Sequence, residues 1–275
     1  EEDLTADILK NYRVLVVVGD CLDPKVVPAL EAWVKVGGVL LATSRAGMFD
    51  EYRNANPAFG NLLGLDFRGG TESGDTFCRV LQELPYLKSR GTISGDSWKM
   101  PVPVANEKIK PSADTQVFAK FNGDLSAAFT SRALGKGRVF YTATHPGISY
   151  LWSALQPPVV ADRSPTSHVV PQQFDPGAKA MIELVVKAAN IAPEVKCDLS
   201  LIDARLIETK SGYILPIANY HEKVGGPVTL EVRLGNAIKK VTSAYLGDLK
   251  FTERGGRIVI SLPKLDYGDM LRFER

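Results

Sequence analysis

The apolar positions of the first 45 residues form two short unbroken runs with a helical repeat between them. Val14-Leu15-Val16-Val17-Val18 and Val39-Leu40-Leu41-Ala42 show no alternation, the pattern of parallel strands buried on both faces. Between them Val26, Leu30, Trp33 and Val34 recur at i, i+4, i+7 and i+8, which lays one apolar stripe along a helix. Asp23 is placed to cap that helix, Pro24 suits its first turn, and Gly37 supplies the left-handed residue that ends it. The result is a strand–helix–strand unit with a right-handed crossover. Ligands of open parallel sheets sit beyond the carboxyl ends of the strands. Asp20 and Arg45 therefore mark the expected cleft edge, with Cys21 and Ser44 beside them.

The pattern continues with helices expected at residues 4–10, 57–63 and 149–155, and from Pro176, where Met181, Leu184, Val185 and Ala188 share a face. Residues 116–121 and 125–131 read as a hairpin closed by Asn122-Gly123-Asp124, and 138–143 as a further strand. The stretch 66–115 lacks a clear period, with 77–80 as one candidate strand, and 156–174 is proline-rich. Loops of such length inside a compact domain are uncommon, so 69–115 and 156–174 are expected to be contact surfaces. From about Val195 the texture changes to short strands separated by turns such as Ser211-Gly212, Gly225-Gly226 and Gly255-Gly256, the signature of an antiparallel sandwich. The expectation is an α/β domain over 1–192, a doubly wound sheet, followed by a small β-sandwich over 193–275. The chain opens on a helix that leads into a buried strand, so the first domain is expected to lack its usual first strand.

Composition narrows the classes of function. The 275 residues carry 33 basic and 31 acidic side chains, a net charge of +2, which gives no electrostatic reason to bind nucleic acid or an anionic membrane. No apolar run approaches the ~18–20 residues of a membrane-spanning helix. Cys21, Cys78 and Cys197 form neither a disulfide framework nor a zinc pattern, and they assign no compartment. His168 and His221 have no second ligand at metal spacing, and no G-x-G-x-x-G opens a helix. No metal or cofactor is expected.

Ala32-Trp33-Val34-Lys35 with Gly37-Gly38, then Leu40-Leu41-x-Thr43-Ser44-Arg45-x-Gly47 and Asp50-Glu51, resembles the trimerisation domain of glycoside hydrolase β-galactosidases. Gly135-Lys136-Gly137 and the strand ending in Pro146-Gly147 extend the likeness. Residues 212–220, with Leu262-Pro263 and Asp269-Met270-Leu271, are similar to the β-sandwich that ends such hydrolases. Residues 69–111 match least. The resemblance implies a class I glutamine-amidotransferase-like, flavodoxin-like fold that follows a catalytic (β/α)8 barrel, which is absent from these residues. It implies a non-catalytic assembly and support segment. Its partner is then the upstream catalytic domain of the same polypeptide, with a homo-oligomer and carbohydrate as further partners.

The same resemblance sets the rival reading, an amidotransferase-like enzyme with a degenerate site. The superfamily's elbow, Gly-x-Cys-x-Gly, falls on Ala42-Thr43-Ser44-Arg45-Ala46. Serine stands for the nucleophile, and alanine replaces both glycines that let the strained turn form. The later His-x-Glu is His145-Pro146-Gly147, so the carboxylate that would orient the imidazole is missing. No catalytic residue is expected. Ser44, His145 and Cys21 are the candidates to locate, and Asp20 with Arg45 is read as an ion pair joining two loops. Asp50 and Glu51, adjacent in one loop, do not straddle a sugar as glycosidase carboxylates do. A third reading makes the sandwich a sugar-binding module, with Trp98, Tyr150, Trp152 and Tyr220 as the aromatics available for stacking.

Overall fold

The computed structural model describes residues 4–73, 82–83, 89–153, 160–161, 173–221 and 225–275. The chain divides into two compact units, Glu1–Ile191 and Ala192–Arg275. In the first, the strands in chain order are β1 Val14–Val17, β2 Val39–Ala42, β3 Leu65–Ser73, β4 Gln82–Glu83, β5 Thr92–Gly95, β6 Lys99–Pro101, β7 Ala105–Pro111, β8 Gln116–Phe121, β9 Ala127–Leu134, β10 Gly137–Thr142 and β11 Val160–Ala161. The helices are α1 Ala6–Leu9, α2 Val27–Lys35, α3 Pro57–Leu63, α4 Pro146–Trp152 and α5 Pro176–Ala188.

The main sheet runs β1-β2-β10-β9-β8-β5-β6. β1, β2 and β10 are parallel to one another, and all four other pairings are antiparallel. The sheet is therefore mixed, not the expected doubly wound parallel sheet, and its parallel part is confined to three strands. The cause lies in the connections: a tight turn such as 122–126 can join only antiparallel strands, so the β8–β9 hairpin adds antiparallel strands beside β10. β2, flanked on both sides, is buried at every position. β1 occupies the sheet edge, and Val16 and Val18 stand 52% and 65% exposed.

Local chemistry explains the helix boundaries. Asp23 accepts the Lys25 amide at 2.9 Å, and a 3-10 turn at Pro24–Val26 leads into α2. α2 ends in a Schellman arrangement: the Gly37 amide donates to Val34 O at 2.9 Å and the Gly38 amide to Trp33 O at 3.0 Å, with Gly37 at φ +126°. Asn56 caps α3, which stops at Gly64 with φ +72°. Asp175 caps α5 through the Ala178 amide at 2.8 Å. The buried stripe of α5 is Ala178, Met181, Val185 and Ala189; Ala188 faces solvent. α4 begins at Pro146, three residues ahead of the expected start.

The stretch expected to be irregular, 66–115, holds most of β3 and all of β4, β5, β6 and β7. β3 and β7 pair antiparallel as a separate two-stranded sheet, with register shifts between Leu65 and Phe67 and between Gly69 and Glu72. Those shifts break the period of two in β3, and β5 and β6 are too short to show one. The candidate strand at 77–80 lies outside the described residues, as does most of 156–174. Two described aromatics of these stretches pack within their own unit: Trp98 meets Phe129 edge-on at 6.3 Å, and Phe174 stacks on Tyr150 at 4.6 Å.

The second unit is all β: β12 Val195–Cys197, β13 Ile202–Ala204, β14 Ile207–Thr209, β15 Gly212–Asn219, β16 Val228–Val232, β17 Lys240–Ser243, β18 Gly247–Leu249, β19 Phe251–Arg254, β20 Arg257–Leu262 and β21 Gly268–Glu274. One sheet runs β12-β16-β20-β19 and the other β13-β15-β21-β17-β18, with β14 also on β15. Alternate residues point inward, as a sandwich requires: Val228, Leu230 and Val232 from one sheet join Leu215, Ile217, Leu271 and Phe273 from the other in one core.

Candidate functional site

The polar centre of the first unit lies where β2 and β10 end. Beyond Ala42 the Ser44 amide donates to Thr144 O at 3.2 Å, and beyond Thr142 the Glu107 amide donates to Ala143 O at 3.0 Å. β7 is thereby laid beside the end of β10, and Glu107 enters the interior with no exposure. Ser44 Oγ donates to Glu107 Oε2 at 3.0 Å, and the Arg45 amide donates to the same oxygen at 2.7 Å. The Tyr141 hydroxyl also donates to Oε2. Arg68 Nε lies 3.5 Å from Oε1, its Nη2 donates to the Tyr141 oxygen at 3.1 Å, and its guanidinium sits 4.9 Å over the Tyr141 ring. Three donors thus converge on Oε2, while Glu107 Oε1 and Arg68 Nε and Nη1, all buried, have no hydrogen-bond partner among the described residues, so the ion pair is only partly satisfied.

Arg45 carries the backbone strain of this turn. Its φ is +63°, a left-handed conformation that costs a non-glycine residue about 1–3 kcal/mol. The strained position is the residue after Ser44. That conformation turns the Arg45 amide onto Glu107, while the side chain reaches outward, its Nη2 3.3 Å from Asp20 Oδ2. Arg53 Nη1 contacts the same oxygen at 3.3 Å. Burial works to raise the Asp20 pKa, but the hydrogen bond from Arg45 and the charges of Arg53 and Arg45 outweigh it, and the carboxyl sits below its ordinary value. Asp20 and Arg45 are thus brought together across the loops that follow β1 and β2.

Ser44 is 1% exposed, and its hydroxyl is directed at Glu107. No hydrogen bond joins it to His145 among the described residues. His145 stands at the start of α4, half-buried; burial lowers its pKa, against the opposing pull of the Glu107 charge. Burial, with Glu107 adding to it and Arg68 opposing, pushes the Tyr141 hydroxyl well above its ordinary value, so Tyr141 remains a donor. Cys21 is half-buried, its Sγ 3.7 Å from Asp20 Oδ1, and Cys21 bridges to Phe49. Asp50 accepts the Tyr52 and Asn54 amides at 2.8 and 2.7 Å, which makes it the frame of a surface turn. A cleft lined by Met48, Asn56, Gly60, Leu65 and Phe67 reaches the network at Arg68. Among the described residues no three His, Cys, Asp or Glu side chains converge as metal ligands.

Glu107, Arg68 and Tyr141 are absent from the sequence reading. One signal marks the first: Ala105, Glu107 and Ile109 alternate with Asn106, Lys108 and Lys110, a period-two pattern with a glutamate at an inner position. Nothing in the sequence pairs that glutamate with Ser44, 63 residues away.

The family model described as β-galactosidase trimerisation domain matches residues 4–157, more than half of the chain. Among curated proteins none matches the chain. Among solved structures, the β-galactosidase Gan42B of G. stearothermophilus superposes with a TM-score of 0.61 at 14% identity, over 97% of this chain and 32% of its own. The cold-adapted β-galactosidase from Rahnella sp. R3 gives 0.60 at 15%, over 95% and 32%. An α-L-fucosidase, isoenzyme 2 of Paenibacillus thiaminolyticus, gives 0.58 at 14%, over 96% and 41%. At such identities the likeness is one of fold, and it runs through both units. The chain spans about a third of the length of the two β-galactosidases.

Proposed function

The chain belongs to the β-galactosidase trimerisation-domain family, and from that membership we propose that it is the assembly and support segment of a glycoside hydrolase. Its partners are then a catalytic domain upstream in the same polypeptide and two further copies of itself. We read the first unit as an amidotransferase-like scaffold whose catalytic positions have been turned to structure. One observation carries this reading: the buried serine at the elbow donates its hydroxyl hydrogen bond to a buried glutamate in the core. A nucleophile needs an open path for attack, and Ser44, 1% exposed, has none. The edge strand β1, with Val16 and Val18 exposed on one face, is the surface assigned to assembly.

Sedimentation of the 275-residue chain tests the proposal. A trimer at micromolar concentration is the expected result. A strictly monomeric chain would remove the assembly role, and labelling of Ser44 or Cys21 by an electrophilic substrate analogue would favour the enzyme reading.

A further inference from the structure

The second unit carries a cleft of about 260 Å³ between the turn after β17 and the segment entering β21, lined by Tyr245, Leu246, Lys264, Asp266, Tyr267 and Asp269. Both tyrosines are 81% exposed, yet the backbone that bears them is fixed from beneath. Ser243 Oγ donates to the buried Asp269 carboxylate at 2.6 Å, and accepts the Tyr245 and Leu246 amides at 3.1 and 2.8 Å. Asp269 also accepts the Met270 amide at 2.6 Å. On the opposite wall Asn219 Nδ2 donates to Asp266 O at 2.8 Å and Leu265 O at 3.4 Å. Two bare aromatic rings are thus presented on braced turns, and the sandwich core does not need them.

The rim chemistry selects among ligands. Lys264 is paired with Asp266 at 2.7 Å, and Asp269 leaves the cleft with an excess of one negative charge, which disfavours anions. An apolar peptide would need apolar walls, and Leu246, at 39% exposure, is the main aliphatic surface offered. A pyranose has an apolar C–H face that lies flat on an aromatic ring, and a girdle of hydroxyls that bond carboxylates and ammonium groups. The cleft is smaller than the roughly 300–1,000 Å³ of sites that enclose a drug-sized ligand, so it suits one or two residues of a longer chain. We propose that this cleft is a carbohydrate-binding site for a neutral oligosaccharide, with Tyr245 and Tyr267 as the stacking platform. This goes beyond the assembly role and does not depend on it.

The test is affinity electrophoresis of the full 275-residue chain through gels containing β-1,4-galactan, xylan or soluble starch, with calorimetry on the tetrasaccharide of whichever polymer retards it. Retardation by at least one polymer is expected, with affinity falling at least tenfold in Tyr245→Ala/Tyr267→Ala. The Tyr245→Phe/Tyr267→Phe chain keeps the rings and should bind within about threefold of the parent. Thermal melting of each variant should match the parent, because both side chains are exposed. No retardation by any of the three polymers overturns the proposal, as does retardation that survives the double alanine change. Sedimentation of the same variants separates this result from the assembly role: an alanine variant that loses its oligomer and never bound sugar makes the cleft a subunit contact, which also overturns it.

Discussion

One carboxylate, that of Glu107, joins three distant pieces of chain: the turn after β2, the end of β10 and, through Arg68, β3. Removing one partner of a buried charge pair leaves the other uncompensated, at a cost of about 3–5 kcal/mol. Glu107→Gln is therefore expected to destabilise the first unit by about that amount in urea denaturation, and a loss below about 1 kcal/mol would show that Arg68 does not depend on it. Ser44→Ala should cost less, about 1–3 kcal/mol, because Arg45 and Tyr141 still donate to the same oxygen. His145 gives a pH signature. Its folded pKa lies below the ordinary 6.5, so above that value both folded and unfolded forms are neutral and stability is full. As pH falls through 6.5 the unfolded chain takes up the proton first, and stability declines until the folded pKa is passed. Melting curves between pH 7.5 and about 5 should show this decline, and His145→Gln should remove part of it. An identical slope in the variant would place the titration elsewhere.

At the scale of elements, the Gly135–Gly137 turn packs tightly against the end of α2. The Lys136 amide donates to Lys35 O at 2.9 Å. A Cβ at Gly137 would lie 2.1 Å from Val34 O and 2.2 Å from Gly38 O, both backbone atoms. Neither can move without opening the Schellman end of α2 or shifting β10 away from β2. Gly137→Ala is expected to cost more than about 2 kcal/mol. A Cβ at Gly123, in the hairpin turn, would meet nothing within 4 Å, and Gly123→Ala should stay within about 0.5 kcal/mol. Equal effects in parallel urea titrations would mean that the backbone at 137 yields freely. The spacing of Gly135 and Gly137 is visible in the sequence; the helix end they press against is visible only in the fold.

At the scale of the molecule, the first unit ends its sheet on β1, a strand built of valine and leucine whose outer edge has no partner among the described residues. A β-branched edge of this kind invites pairing or covering. If assembly uses it, Val16→Lys/Val18→Lys should shift the expected trimer towards monomer in sedimentation while leaving the melting of the isolated chain nearly unchanged. A trimer that withstands both charges would put the contact on another face. The exposed tyrosines of the second unit offer a separate surface, so assembly and sugar binding are assigned to different residues and fail independently.

The sequence by itself determined the elements whose signals are local. The helices capped by Asp23, Asn56 and Asp175, the stops at Gly37 and Gly64, the 122–124 turn and the short-strand texture after Val195 all depend on neighbours a few residues apart. The likeness to the trimerisation domain is legible for the same reason, since it is carried by such stretches, and the family match bears it out. Tertiary structure decided what depends on pairing at long range. It set β3 against β7 through two register shifts that break the period of β3, and it limited the parallel part of the sheet to three strands. It also placed the left-handed strain of the turn after β2 on Arg45. It brought Glu107 to Ser44 because a buried carboxylate must find donors wherever the fold can supply them, and no spacing along the chain encodes where those are.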